Sequence, residues 1–207
     1  VEDDVAKVGI IGVAKGVVSG FLSKIQGNIK DIPVDASGKK KIVSSYRYIA
    51  QNDFTKEQVS RAIDELINAG CSVIAASKTF GVDDDKEERL IQEVGEEKGI
   101  VVCAASDISK LYGLTRRTRT AVVNGSILPK MIGTADSTEQ AVREAGIGAP
   151  LMIMRGDGGV MDIQEMRKRP VLTMLSGPAA STVGALMYLR VSNGVFFEVG
   201  GTTTDIG

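Results

Sequence analysis

The stretch "CSVIAASKTFGVDDDKEERLIQEVGEEKGIVVCAAS" (residues 71–106) holds two apolar runs of like length and content, "CSVIAAS" and "IVVCAAS". Each reads as a short buried strand. The segment between them, "VDDDKEERLIQEVGEEKG", reads as a helix. It is acidic at its start, where the helix dipole favours negative charge. Leu90, Ile91 and Val94 form its inward side, and Gly99 fits its end. Two like strands joined by a helix with one polar face make a βαβ unit, and therefore a parallel sheet. The fold class expected is α/β.

The same alternation extends in both directions. Upstream, "FTKEQVSRAIDELINAG" (54–70) reads as a helix. Thr55 is placed to cap it and Gln58 to close a capping box. Val59, Ala62, Ile63, Leu66 and Ile67 line one stripe, and Gly70 suits the position just past the end. Before it, "VAKVGIIGVAKG" (5–16) reads as a strand leading into a loop or helix, "DIPVDASGKKK" (31–41) as a turn-rich connection, and "IVSSYRYIA" (42–50) as a strand. Downstream, "GLTRRTRTAVVNGSILPKMIG" (113–133) reads as a helix with Thr115 as its cap, kinked or ended by Pro129. Its basic turn, Arg116, Arg117 and Arg119, reads as a solvated face. A capped helix is expected from Ser137 to Gly146, then a strand "PLMIMR", a turn "DGGV", a strand "VLTMLS", a helix "GPAASTVGALMYL" and a strand "GVFFEVGG". A soft domain boundary is expected near Tyr112–Arg119.

Composition excludes several kinds of chemistry. There is no histidine in the 207 residues, so histidine-based triads, general bases and metal sites are absent from this chain. The net charge of −1 comes without a basic block, which argues against a nucleic-acid surface. No apolar run approaches the ~20 residues of a membrane span. The opening "VEDDVAKVG" is acidic, unlike a signal peptide, and the lack of an initial Met suggests a piece of something longer. Cys71 and Cys103 sit beside apolar runs and read as reduced core thiols of a cytoplasmic protein.

Three glycine-rich turns remain. In "EVGGTTTD" (198–205), Gly200 and Gly201 follow an apolar strand. Adjacent glycines open backbone angles closed to other residues, and their N–H groups suit an anion such as phosphate. Thr202, Thr203 and Thr204 add hydroxyls. Glu198 and Asp205 suit a hydrated Mg²⁺ ion, which prefers a few carboxylates plus water. A plain Gly-Gly hairpin turn explains the same residues equally well. In "LSGPAAS", Gly177–Pro178 places proline in the first turn of a helix whose N-terminus is open to an anion. A tightly packed core helix is the better reading of the helix body. In "MRGDGGVMD", Gly158–Gly159 makes a tight turn, and Asp157 either caps a backbone N–H or meets substrate. No Gly-Lys-Ser/Thr closes any of these loops, and no GxGxxG opens a helix.

A helix beginning "GPAAS", an apolar strand, an acidic residue, Gly-Gly, threonines and Asp: this order resembles the second phosphate loop of the actin-like (ribonuclease H-like) ATPase superfamily. More specifically, "LTRRTRTAVVNGSILP", "PLMIMRGDGGVMDIQEMRKRPVLTMLSGPAA" and "FFEVGGTTTDIG" are similar to the hydantoinase A / 5-oxoprolinase family. The likeness runs from about residue 107 to the end and is looser over 55–106. It implies that residues 1–115 are the last part of that family's N-terminal α/β domain and 116–207 the start of its ATPase-like domain. It further implies an enzyme that hydrolyses a cyclic amide, a hydantoin or 5-oxoproline, with cleavage of ATP. A hydantoinase B-type second subunit or domain is the implied partner.

By the same resemblance, Gly200, Gly201, Thr202 and Thr203 would cradle ATP phosphates, with Asp205 beside them and Ser176, Gly177 and Pro178 close by. Asp157, Gly158 and Gly159 are the candidate substrate residues, in a family motif to which the resemblance assigns no role. Arg117–Asn124 matches a family motif with no role assigned to it, and no catalytic base is identified.

The chain departs from the family pattern in three places: Glu198 for an Asp, Gly156 for a Ser, and Gly125 for an Ala. The extra methylene of Glu198 moves a carboxylate by ~1.5 Å, which bears on Mg²⁺ placement. The superfamily's first phosphate loop and adenosine site do not occur in these residues. The expectation is therefore a central piece carrying half of a split nucleotide site, with little activity alone. Two other readings stay open: an acetone-carboxylase-like subunit, and a regulator or reactivating chaperone that uses an actin-like ATP cycle, which Glu198 favours.

Overall fold

A computed structural model of the chain describes residues 6–15 and 45–207. The connection expected at 31–41 and the opening residues lie outside the described residues. The chain divides into two compact units between Lys130 and Met131.

The first unit is built on a four-stranded sheet. Its strands are β1 (Val8–Ala14), β2 (Ser45–Ala50), β3 (Val73–Lys78) and β4 (Val101–Ala104), in the order β2-β1-β3-β4. All three pairings are parallel. Helix α1 (Lys56–Asn68) joins β2 to β3, and α2 (Lys86–Glu97) joins β3 to β4, as the sequence pattern anticipates. The N–H of Gln58 donates to Thr55 Oγ1 at 3.3 Å, so Thr55 caps α1. Gly70 and Gly99, just past α1 and α2, have φ of +80° and +70°, conformations that glycine reaches without strain.

Both helices cover one face of the sheet. Val59, Ile63 and Leu66 of α1 and Ile91 and Val94 of α2 pack with Ile11, Val13, Ile49, Ile74 and Ala76. Each large side chain fully buried here contributes about 1.5–3 kcal/mol. Ile67, expected on the same stripe, lies at its edge and stays partly exposed. A one-turn helix, α3 (Ala105–Ile108), follows β4 directly.

The long helix α4 runs from Leu114 to Glu144 with Pro129 inside it. The helix expected to end near Pro129 and the one expected from Ser137 are therefore one element. The exposed Pro129 is tolerated because apolar residues are buried on each side of it, Ala121, Val122 and Leu128 before and Ala135 after. Their packing offsets the ~3 kcal/mol of an interior proline. At Gly125 an added Cβ would lie 3.0 Å from Val73 Cγ1 and 3.5 Å from Val8 Cγ2. The missing methyl, a departure from the family pattern, lets α4 approach the second face of the sheet.

The second unit holds two antiparallel hairpins and two further helices. Strands β5 (Met152–Met154) and β6 (Val160–Asp162) form the first hairpin. Helix α5 (Ile163–Lys168) follows, with Asp162 Oδ1 accepting from the Glu165 N–H at 2.7 Å as its cap. Met161, Ile163, Met166 and Ala135 form the unit's small core. The stretch "VLTMLS" is not a strand. Residues Pro170–Thr173 make a 3₁₀ turn, and α6 (Ser176–Leu189) begins three residues later. Pro170 starts that turn with its fixed φ, and Leu172 gives its carbonyl to the Gly156 N–H at 2.8 Å. A short apolar run alone does not distinguish a strand from such a turn. Strands β7 (Phe197–Val199) and β8 (Thr204–Ile206) form the last hairpin. Neither β6 nor β8 was legible as a strand, because three residues show no periodicity.

Candidate functional site

Residues 197–206 form a hairpin in the register Phe197↔Ile206, Glu198↔Asp205 and Val199↔Thr204. Phe196 and Gly207 exchange both backbone bonds at its base, at 2.8 and 2.9 Å. At its tip the Gly200 N–H donates to the Thr203 carbonyl at 2.9 Å, leaving Gly201 and Thr202 as the two turn residues. Of the two readings of "VGGTTT", the hairpin is the conformation adopted, and an anion cradle is compatible with it.

The glycines of this turn are not required by its backbone. Neither Gly200 nor Gly201 is among the positive-φ glycines of the described residues. A Cβ on Gly201 would meet nothing within 4 Å. What glycine does here is leave the tip's backbone bare, open to close approach by another group. Thr202, Thr203 and Thr204 are exposed beside it.

Side chains alternate along each strand, so Glu198 and Asp205 share one face and Phe197, Val199 and Ile206 share the other. Directly opposed like charges repel. Glu198 Oε2 is buried and has no hydrogen-bond partner among the described residues. An orphaned buried carboxylate oxygen opposite a second carboxylate fits a cation between them. No group of three or more metal-ligating side chains occurs among the described residues.

Helix α6 touches both sequence-predicted turns. A Cβ on Gly207 would lie 3.0 Å from Thr182 Oγ1, and one on Gly158 would lie 3.1 Å from Val183 Cγ2. The end of the β7–β8 hairpin and the Asp157–Gly159 turn therefore rest on neighbouring residues of one helix. Ser176 and Gly177 open that helix. Its N-cap residue, Leu175, is left-handed at φ 61° and caps nothing with its side chain, and the first turn carries no acid. Asp157 is engaged within its own turn: Oδ1 accepts from the Gly159 N–H at 3.0 Å and Oδ2 pairs with Arg155. Gly156 has a packing reason, since a Cβ there would fall 2.0 Å from the Met174 carbonyl oxygen.

The first unit carries polar residues that composition did not single out. Arg117 is not on a solvated face, as its basic turn suggested. It is 2% exposed, and Nη2 donates to the Lys78 carbonyl at 2.6 Å. Thr118 Oγ1 lies 2.6 Å from Ser77 Oγ, and the Asn124 amide donates to Cys103 Sγ at 3.6 Å. Burial pushes the Cys103 thiol up to about 11, against a smaller opposing effect of that amide. The unassigned motif 117–124 is thus a polar seam between α4 and the ends of β3 and β4.

Glu88 completes the seam. It is fully buried, with Oε1 accepting from the Lys78 N–H at 2.8 Å and Oε2 from the Ser106 N–H at 2.9 Å and hydroxyl at 2.6 Å. Its signal was its spacing, three residues before Ile91 on the buried side of α2. The surrounding run of acids hid it. Burial disfavours the Lys78 ammonium, but hydrogen bonds to Glu87 and Asp84 outweigh that and raise its pKa.

Residues 117–207 match the model of the Hydantoinase/oxoprolinase family. Over these residues the chain is similar to the hydantoinase/oxoprolinase family. The match takes in the seam motif, the Asp157–Gly159 turn, α6 and the closing hairpin. Among curated proteins, the caprolactamase subunit alpha of Pseudomonas jessenii is 27% identical over 153 residues, which are 72% of this chain and 22% of that protein. An uncharacterized protein of Methanocaldococcus jannaschii is 26% identical over 153 residues, with the same coverage. The match thus spans about a fifth of the length of these relatives.

Two solved structures share the fold. An acetone carboxylase in its nucleotide-free state superposes with a TM-score of 0.75 at 19% identity, over all of this chain and 32% of that one. The ATP-dependent caprolactamase of Pseudomonas jessenii gives 0.72 at 22% identity, over 99% of this chain and 32% of that one. Among the described residues, no helix is long and apolar enough to cross a membrane.

Proposed function

We propose that the protein to which this chain belongs is an ATP-dependent enzyme that opens a cyclic amide of the hydantoin, 5-oxoproline or lactam type. One observation carries the reading. Within the family-matched segment, the tip of the β7–β8 hairpin keeps glycine at Gly201, although neither backbone conformation nor packing requires it there. Bare backbone at an exposed tip, flanked by Thr202, Thr203 and Thr204, suits a phosphate chain.

In this reading Gly200, Gly201, Thr202, Thr203 and Thr204 hold ATP phosphates, and the open start of α6 at Ser176 and Gly177 adds donors. Glu198 and Asp205 hold Mg²⁺ through water. ATP, when bound, supplies a phosphoryl group that activates an amide oxygen for attack. The tasks of this chain are to bind and orient: hydroxyls and N–H groups fix the anion, and the carboxylate pair fixes the cation's position. Asp157–Gly159, resting on α6 beside Val183, is the candidate substrate turn. A second subunit is part of the proposal, supported by a relative named as a subunit alpha. A cytoplasmic setting, consistent with two free buried thiols, belongs to it as well.

The test is ring opening by the whole protein with its partner subunit, ATP and a panel of lactams and hydantoins. ATP-dependent opening is expected, and substituting Gly201→Val should lower it by at least tenfold, the scale of losing one well-placed anion donor. No ATP-dependent opening of any ring amide overturns the reading. Bicarbonate-dependent turnover would assign the chain to carboxylation instead. Slow ATP turnover stimulated only by a protein partner would assign it to regulation. The 207 residues alone are expected to bind ATP weakly, and micromolar affinity by calorimetry would contradict the split nucleotide site.

A further inference from the structure

We infer that Thr182 and Val183, neighbours on α6, are positioning residues that link the β7–β8 hairpin to the Asp157–Gly159 turn, so that binding at the hairpin is felt at the turn. The inference rests on the proposed reading of the hairpin as the phosphate site and of the turn as the substrate site.

The two contacts are of one kind. Each sets a side chain of α6 against the bare backbone of a glycine. A Cβ on Gly207 would fall 3.0 Å from Thr182 Oγ1, and one on Gly158 would fall 3.1 Å from Val183 Cγ2. A side chain on either turn could swing aside when the helix shifted. Backbone cannot, so a shift of α6 at these points becomes a shift of the main chain. Gly158 is committed further by its φ of +83°, which side chains disfavour.

The helix side of each contact is stiff. Thr182 and Val183 are both β-branched, and a helix restricts such side chains at χ1. Thr182 is held a second time, because its Oγ1 donates to the Pro178 carbonyl at 2.9 Å. Adjacent residues of a helix keep a fixed rise of about 1.5 Å. Displacing Thr182 therefore displaces Val183.

Each end of this link reaches the candidate site residues. At the hairpin, Gly207 exchanges both backbone bonds with Phe196, and the opposed Glu198 and Asp205 lie two residues from that base. Repulsion between these carboxylates acts across the strands. Binding that relieves it changes the strand spacing next to Gly207.

At the other end, the turn moves as one piece. The Arg155 N–H donates to the Gly159 carbonyl at 2.8 Å, and the Gly158 N–H to the Arg155 carbonyl at 3.1 Å. The Gly159 N–H donates to Asp157 Oδ1 at 3.0 Å. The Gly156 N–H, on the Leu172 carbonyl at 2.8 Å, ties the turn separately to the run before α6. Val183 thus bears on the turn at Gly158, beside Asp157.

The test follows the backbone amide resonances of Gly158 and Gly201 in the 207-residue chain during titration with ATP and magnesium chloride. Sodium chloride at matched ionic strength is the control. Both amides are expected to shift along one saturation curve. In Val183→Ala the Gly201 curve should be unchanged, while the Gly158 shift should fall by at least about threefold. Val183→Thr keeps the branched shape and should keep the Gly158 shift. An unmoved Gly201 overturns the phosphate reading of the hairpin and this inference with it. A moving Gly201 with an unmoved Gly158 overturns this inference alone. So does a Gly158 shift that survives Val183→Ala or is lost in Val183→Thr.

Discussion

The two units use apolar residues in opposite ways. In the first, α1 and α2 each present an apolar stripe to a four-stranded sheet, and that stripe is buried. In the second, α6 is apolar or small along its length and has no buried residue; Met187 and Tyr188 are 75% and 87% exposed. The β7–β8 hairpin likewise turns Phe197, Val199 and Ile206 outward. An apolar residue is buried only where a second layer meets it. The first unit builds that layer from its own βαβ repeats, whereas the second closes only a small core of Ala135, Met161, Ile163 and Met166.

This contrast sets the scale of substitutions, measured by urea unfolding followed by circular dichroism. Glu88→Ala should have the largest effect, a loss of about 3–5 kcal/mol, because three buried donors lose their charged acceptor. Ile63→Ala should remove about 2–5 kcal/mol from the same unit through the cavity it leaves. Small losses in both variants would mean that the first unit is as loosely packed as α6, and the comparison would fail.

Alkaline pH probes the same core. The Cys103 thiol is raised from its ordinary 9.0 to about 11 by burial. The unfolded chain therefore loses this proton first as pH passes 9. Stability should fall by about 2–3 kcal/mol between pH 9 and 11, and not below pH 9. The decline should be absent in Cys103→Ala.

Glycine substitutions sharpen the comparison between the units. Gly156→Ala brings a Cβ against a backbone carbonyl and should cost about 1–3 kcal/mol. Gly125→Ala, in the first unit, meets only side chains, those of Val73 and Val8, which can give way, and should cost less. The smallest effect belongs to α6: Met187→Ala should change stability by no more than about 0.5 kcal/mol. A larger loss there would show that α6 is packed in solution.

Much of the first unit was legible because its signals are local. The cap at Thr55, the glycines closing α1 and α2, and the spacing of Val59, Ile63 and Leu66 need only neighbours along the chain. The family likeness of residues 117–207 was legible from the order of the motifs around "SGPAA" and "VGGTTTD". The strands β6 and β8 were not, being too short to show a period, and "VLTMLS" looked like a strand until Pro170 and Gly156 settled its turn. Arg117 and Glu88 were hidden for a different reason: each sits in a run of like charges, and only the end of β3 shows that both are buried.

The sequence by itself determined which segments become helices and strands in 54–106, the α/β class and the family likeness of 117–207, since these depend on periodicity, capping and motif order. Tertiary structure alone decided that Glu198 faces Asp205, that α6 touches both glycine turns, and that Arg117 and Glu88 hold the carbonyl and the N–H of Lys78. Those relations join residues far apart in the chain. They exist only once strand register and helix packing have set which backbone atoms lie within hydrogen-bonding reach.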